Sequence, residues 1–340
     1  MQFSKYKKNL KILLLSAITI SLCSCDFPNR IQKADKNALC FDTIISIAIY
    51  DSDRQKAENL ANESIEMCYE YEELFSSTIS TSDISKINDA GGKSVNVNEK
   101  TAELINKSLH YSEISDGLFD ISVESVTKLW DFHEGANNIP NEDIISQAQK
   151  HVNYKNIHVA DNKTVTLSDA DAQIEAGGLA KGYIADKIAE YLLKQNVHGA
   201  LINMGGDLRV IGCPSDKNSF SIGINDPSSS GTPLFPIYIT DASVATSGTY
   251  ERSFTVGDKL YHHILDPKTG YPCNTDLVQA TVITDSSIKA DALATICILK
   301  GCEDAQSLIE SLDNTEAVLI TKSGDTRYSS GMNKYLTNAQ

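Results

Sequence analysis

The sequence predicts an α/β chain of the α+β kind, a single complex domain of two lobes built on a mixed sheet. Three observations predict it. Helical and β-rich segments interleave from about residue 40 to 335. A β-α-α-β unit closes the chain through residues 277–284, 286–298, 303–312 and 317–321. Within residues 40–335 there is no repeat, low-complexity tract or clean linker.

The elements follow in order. Residues 43–50 alternate and are β-rich, which predicts a strand. Residues 54–75 bring Leu60, Ile65, Met67, Tyr71, Leu74 and Phe75 near one side of a helix. A Ser/Thr-rich loop fills 76–83. A second helix spans 100–114, is broken by Ser115-Asp116-Gly117, and is followed by a helix start in 123–130. A Pro/Asn turn at 137–141 precedes short strands within 157–175. A helix over 181–195 leads to a strand at 199–203. Residues 208–263 read as mostly β, punctuated by Gly and Pro.

The first residues predict export. Lys5, Lys7, Lys8 and Lys11 precede an apolar run over 12–22, too short for a helix that must cross with roughly 20 residues. The run fits the apolar core of a secretory signal and ends in Leu22-Cys23-Ser24-Cys25. That ending resembles a lipobox. The expectation is a lipoprotein signal peptide over 1–24, lipid on Cys25, a tether over 25–38 that is polar and charged through 29–37, and a folded domain over 39–335. Such a chain is held at the cell membrane by its lipid, facing the extracytoplasmic side. The simpler alternative is an ordinary signal peptide or an uncleaved anchor.

Charge narrows the partners. The net charge is −15, and removing the four leader lysines takes it to −19. Acidic charge without a basic tract opposes nucleic-acid binding, so no nucleic acid is expected. Eight cysteines occur, two of them at the signal junction, and the others show no C-x-x-C or zinc spacing. Their pairing is open.

Five islands carry the chemistry. Ser115-Asp-Gly-Leu-Phe-Asp-Ile-Ser122 follows a helix. In Glu175-Ala-Gly-Gly-Leu-Ala-Lys-Gly-Tyr183, two glycines allow close backbone approach, and Lys181 stands near a helix start that favours anions. The order of residues is not that of a Walker A loop. Asn203-Met-Gly-Gly-Asp207 follows a strand and makes a turn. His262-His-Ile-Leu-Asp-Pro-Lys-Thr-Gly-Tyr-Pro272 sets His263 three residues from Asp266, a pair suited to proton transfer or a strand end running into a turn. In Ala290-Asp-Ala-Leu-Ala-Thr295, Asp291 and Thr295 are four apart on one helix face, a carboxylate and a hydroxyl of the kind Mg²⁺ accepts. Each island alone also reads as a plain turn, cap or surface position. Trp130 reads as packing.

Together, in this order, the islands resemble the ApbE family of FAD:protein FMN transferases over about residues 39–330. Phe41-Asp-Thr43, Ser82-Asp-Ile-Ser-Lys-Ile-Asn88 and Ala245-Thr-Ser-Gly-Thr-Tyr-Glu-Arg252 add to the resemblance. The resemblance implies Mg²⁺ as cofactor and FAD as substrate. FMN would pass to a Ser or Thr hydroxyl of a target protein, with AMP released. It implies a metal site of the Gly178 carbonyl, Asp291 and Thr295, and nucleotide contacts at Phe41, Leu118, Phe119, Asp120, Glu175, Lys181 and the Ile264-Leu265 backbone. The implied partners are acceptor domains of extracytoplasmic membrane redox proteins.

Two departures matter. Glu175 stands where Asp is common in the family. Thr78 stands where a nucleotide-packing Tyr is common, which leaves that side of the nucleotide more open. In the expected phosphoryl transfer, Lys181 and the helix start share the diphosphate charge, and His263 or Asp266 takes the hydroxyl proton. The alternatives are an FAD diphosphatase releasing FMN and AMP, and a flavin-binding lipoprotein without turnover. The Asp291/Thr295 pair argues against the last, since binding alone needs no metal on the diphosphate.

Overall fold

A computed structural model describes residues 30–132, 138–214, 218–229 and 231–337. The signal segment, Cys25 and the first part of the expected tether lie outside the described residues. Among those described, no helix is long and apolar enough to cross a membrane.

The strands are β1 (Gln32–Cys40), β2 (Thr43–Asp51), β3 (Val95–Asn96), β4 (Ile157–Ala160), β5 (Thr164–Leu167), β6 (Gly199–Met204), β7 (Asp207–Gly212), β8 (Phe220–Asn225), β9 (Pro233–Ile239), β10 (Ser243–Gly248), β11 (Ser253–Val256), β12 (Lys259–His262), β13 (Leu277–Thr284), β14 (Glu316–Thr321) and β15 (Thr326–Tyr328). The helices are α1 (Arg54–Phe75), α2 (Asp83–Asp89), α3 (Glu99–Ile114), α4 (Glu124–Thr127), α5 (Glu142–Gln149), α6 (Gly177–Lys194), α7 (Ser287–Lys300), α8 (Cys302–Glu310) and α9 (Asn333–Leu336).

The α+β class is the one observed. An eight-stranded sheet runs β1-β2-β6-β7-β10-β13-β14-β15. Every pairing in it is antiparallel, where the interleaved elements led us to expect a mixed sheet. Helices here return the chain beside an antiparallel neighbour or lie on the sheet face, so none serves as a parallel crossover.

One face of the sheet packs on α1, α6 and α7, with Ile45, Ile47, Ile49, Tyr183, Ile188 and Leu293 fully or almost fully buried in the largest core. The other face packs under the β8–β9 hairpin through Val210, Ile237 and Ile283. A third cluster joins α4 and α5 to the β11–β12 hairpin. There Trp130 stacks on Phe132 and donates from Nε1 to the Gly270 carbonyl at 3.1 Å, so it is a packing residue, as its surroundings in the sequence implied.

Two expectations are corrected. The tether expected through residue 38 is strand from Gln32, fully paired with β2. It escaped notice because β1 is an edge strand whose solvent side is polar up to Leu39, and only Ala34, Ala38 and Cys40 turn towards the core. The helix expected from Lys181 begins at Gly177. Glycine is a poor helix former, and it is the packing of α6 on α7 that holds this turn. A Cβ on Gly182 would stand 2.5 Å from the Ser287 carbonyl oxygen, so only glycine lets the two helices approach this closely. The six described cysteines are unpaired thiols, all buried except Cys213.

Candidate active site

The site begins where α6 and α7 cross. Asp186 on α6 accepts from Ser286 Oγ and from the Ser287 and Ile288 amides, at 2.7 to 3.1 Å. It thereby pins the start of α7, and α7 then carries Asp291 to the first turns of α6. Lys181 Nζ lies 2.6 Å from Asp207 and 3.2 Å from Asp291. The Gly182 amide reaches Asp291 Oδ2 at 3.1 Å.

Two buried carboxylates thus share one ammonium. Burial disfavours the Lys181 cation, but Asp207 and Asp291 outweigh it and raise its pKa. Burial, and then Asp207, push the Asp291 carboxyl up against the pull of Lys181. Asp207 comes from the Asn-Met-Gly-Gly-Asp turn between β6 and β7. In the sequence it reads as part of a turn; its role appears only when α6 brings Lys181 to it.

The β1–β2 hairpin closes one side. Its two loop residues, Phe41 and Asp42, both have positive φ, 52° and 53°. That is the two-residue hairpin geometry usually filled by Asn and Gly. A bulky residue there is strained by roughly 1–3 kcal/mol. The Phe41 amide donates to Glu72 at 2.6 Å, which holds the turn. Thr43 packs into the space above Gly205, where φ is +68° and any Cβ would meet the threonine at 2.5 Å. The hairpin tip is therefore joined to the turn that bears Asp207.

The approach to α6 forms the opposite side. Asn88 grips both backbone groups of Ile174, at 2.8 and 2.9 Å, and the Glu175 amide donates to Ile121 at 3.0 Å. Ser125 Oγ accepts from Gln173 at 2.9 Å. These ties bring Glu175 against Glu124 of α4. Burial, and then Glu175, push Glu124 up to about 8, and burial raises Glu175 while Arg252 lowers it. Nothing in the sequence marked Glu124, because its partner is 51 positions away.

Asp120 is buried and spends both carboxylate oxygens within the protein, accepting from Ser122 N and Oγ and from Tyr154 N at 2.6 to 2.8 Å. Its side chain shapes the loop that presents Leu118 and Phe119. The Phe119 ring lies beside Gly178, 3.4 Å from where a Cβ would stand. The Ile264 carbonyl is taken by the Cys273 amide at 3.0 Å, and Leu265 bridges to Pro272 with its side chain in the third cluster. Thr78 is exposed and bonded to Ser76 Oγ at 2.9 Å.

The two candidate proton acceptors differ. Asp266 Oδ1 caps Lys268 N at 2.8 Å inside the Pro-Lys-Thr-Gly turn. His263 is half-buried, and its Nδ1 is buried without a hydrogen-bond partner among the described residues. Burial, followed by Arg252, pushes its pKa down to about 4, so the imidazole is neutral at ordinary pH and its protonated form is disfavoured unless a neighbouring negative charge offsets these effects. His262, the last residue of β12, is buried with a similar downward shift.

Hard oxygen donors gather on the implied metal side. Thr295 Oγ1 lies 3.1 Å from Ser247 Oγ, on the same face of α7 as Asp291. The Gly182 amide, which a regular helix gives to the Gly178 carbonyl four residues earlier, is the one that also serves Asp291. Asp291 and Asp207 form an acidic, buried carboxylate pair already holding one cation, Lys181. The donor set and the charge fit Mg²⁺.

Comparison with known proteins gives the family of the chain. The ApbE family model matches residues 41–319. The chain belongs to the ApbE family. The FAD:protein FMN transferase of Klebsiella pneumoniae is 30% identical, with 86% of this chain and 91% of that protein covered. The FAD:protein FMN transferase of Treponema pallidum is 29% identical over 95% of this chain and 94% of its own length. The crystal structure of the ApbE protein of Thermotoga maritima superposes with a TM-score of 0.82 at 30% identity, covering 90% of this chain and all of that one. All five sequence islands lie inside the span of this ApbE chain that the family model matches.

Proposed function

We propose that this ApbE protein transfers FMN from FAD to a Ser or Thr hydroxyl of a target protein and releases AMP. The observation that carries the reading is the Lys181–Asp207–Asp291 cluster at the glycine-opened start of α6, inside a chain of this family. Helix amides and an ammonium suit a diphosphate. Two carboxylates hold that ammonium in place and leave a net negative charge for a metal.

Gly178, Asp291 and Thr295 would hold Mg²⁺, which when bound neutralises charge on the diphosphate. Lys181 shares that load. The incoming hydroxyl oxygen forms a bond to the FMN phosphorus as the bond from that phosphorus to the bridging oxygen breaks, and AMP leaves with that oxygen. His263 accepts the hydroxyl proton in this reading, because its Nδ1 has no hydrogen-bond partner among the described residues, whereas Asp266 already gives one oxygen to the Lys268 amide. Phe119 and the strained Phe41 border the flavin nucleotide.

Hydrolysis is a second outcome of the same chemistry. Thr78 leaves its part of the rim open, so water competes for the phosphorus when no acceptor is present.

The test is incubation of the full chain with FAD, Mg²⁺ and a membrane redox domain bearing a Ser/Thr-Gly-Ala-Ser/Thr segment, the kind of acceptor that the family resemblance implies, followed by intact mass of both proteins. One FMN moiety added to the acceptor, with equimolar AMP, is the expected result. FAD bound with neither product would overturn the reading.

From the Leu22-Cys23-Ser24-Cys25 ending of the leader we further propose that a lipid on Cys25 holds the protein at the cell membrane, facing the extracytoplasmic side. Cys25→Ser is expected to move the protein from the membrane pellet to the soluble fraction and to abolish labelling by a lipid precursor. A membrane-bound, lipid-labelled Cys25→Ser protein would refute the anchor.

A further inference from the structure

We propose that the outer face of the β1–β2 hairpin, centred on Leu39 and Ile44, is the docking surface for the acceptor protein, which adds an extended, apolar-flanked segment to the open edge of β1. This rests on the reading that a protein hydroxyl is the acceptor. Leu39 and Ile44 are the two most exposed large hydrophobic residues described, at 71% and 67%. They are also direct cross-strand partners, so the exposure forms one patch. Single exposed aliphatics need no explanation; a paired set at the rim of a site does.

The hairpin register gives the patch a second recognition element. Cys40 and Thr43 flank the two-residue loop and face each other. Leu39 and Ile44 are therefore the next, non-hydrogen-bonded pair, whose side chains stand close together. In that register Leu39, Asn37 and Asp35 turn their amide and carbonyl groups away from β2. No described strand pairs with that side of β1, which is the end of the sheet. Unpaired main-chain groups beside an apolar pair are what an added strand uses, the first for affinity and the second for choice of side chain.

Position selects the acceptor among possible occupants. Phe41, between the two strands, borders the nucleotide in the proposed reaction, and Thr43 packs on the turn that carries Asp207. A segment laid along the end of β1 leads to the Phe41–Asp42 turn and, through Thr43, to the turn that bears Asp207. Leu39 and Ile44 themselves are exposed and hold no assigned place in the metal or nucleotide site. A second copy of this chain has no such reason to seek the rim.

The test uses the full chain in detergent with FAD and Mg²⁺, and as acceptor probe a small reporter domain displaying a Ser/Thr-Gly-Ala-Ser/Thr segment with apolar flanks. The double variant Leu39→Lys, Ile44→Lys is compared with wild type and with a control pair, Val256→Lys and Leu260→Lys, on the exposed β11–β12 hairpin. The expected result is a KM for the reporter raised about tenfold or more, from the loss of two covered aliphatics. FAD binding, acceptor-free FMN release and kcat should stay close to wild type, which also shows that the variant is folded. An unchanged KM overturns the proposal, as does an equal rise in the control pair. A change in sedimentation without a change in KM assigns the face to self-association and overturns it as well. Failure of wild type to modify any acceptor is a different result: it removes the transfer reading, and this surface with it.

Discussion

Asp291→Ala is expected to abolish FAD cleavage, with turnover down by about a thousandfold or more. The carboxylate has three roles that no other group in the structure combines. It holds Lys181 on one side, takes the Gly182 amide on the other, and lies one helical turn from Thr295. Without it Lys181 keeps only Asp207 and swings towards that carboxylate, away from the start of α6. The implied metal loses its charged ligand. FAD affinity should fall far less, because the Phe41 and Phe119 side of the site is untouched and ground-state binding does not need the developing charge to be met. Single-turnover AMP release, with FAD fluorescence titrated in parallel, separates the two. Cleavage within tenfold of wild type would show that Asp291 is a structural partner of Lys181 and nothing more.

Gly182→Val should both destabilise the protein and disable the site. A Cβ at this position meets the Ser287 carbonyl oxygen at 2.5 Å and the Ile288 Cα at 2.7 Å, both backbone atoms that cannot rotate away. The helices must separate. Overpacking of this kind costs about 3 kcal/mol, equivalent to a fall of about 5 °C in Tm for a domain of this size. Separation also carries Asp291 away from Lys181, since Asp186 ties the start of α7 to α6 only at one end. Activity should therefore fall more steeply than the folded fraction. Gly182→Ala meets the same two atoms with fewer methyl groups and should be intermediate. Differential scanning calorimetry and the AMP assay on the same preparations check both parts. A variant with wild-type Tm would mean that the crossing tolerates a side chain and that the glycine serves another purpose.

Much of the framework was readable because it follows from local periodicity. Residues 54–75 show a helical stripe that needs no partner to be recognised, and α1 has those bounds, with Asp53 capping Lys56 N at 3.1 Å. β13 likewise spans the predicted 277–284. The five islands were legible for a different reason. A glycine pair before a helix, a carboxylate four residues from a hydroxyl, and adjacent histidines are short-range patterns whose chemistry is set by residue type.

What escaped the sequence is long-range. β1 looked like a polar tether because an edge strand shows its core side only at Ala34, Ala38 and Cys40, and its burial depends on β2 and α1 being in place. α6 starts a turn early because α7, more than 100 residues away, closes on Gly182. Asn88 reads as one polar residue among several, yet it holds the backbone at Ile174, just before Glu175 and the start of α6. Asp207, Ser247 and Glu124 acquire partners only through folding.

The sequence by itself determined the α+β class, most element positions, the family, and the residue types able to bind an anion and a divalent cation, because those properties reside in composition, period and spacing. Tertiary structure alone decided which of them meet. It sets Lys181 between Asp207 and Asp291, gives Asp266 to a turn and leaves His263 uncommitted, and commits Asp120 to Ser122 and Tyr154. The physical reason is range: a hydrogen bond or a buried ion pair forms over about 3 Å in space, whatever the separation along the chain, and only the packed sheet and its crossed helices bring such pairs within that distance.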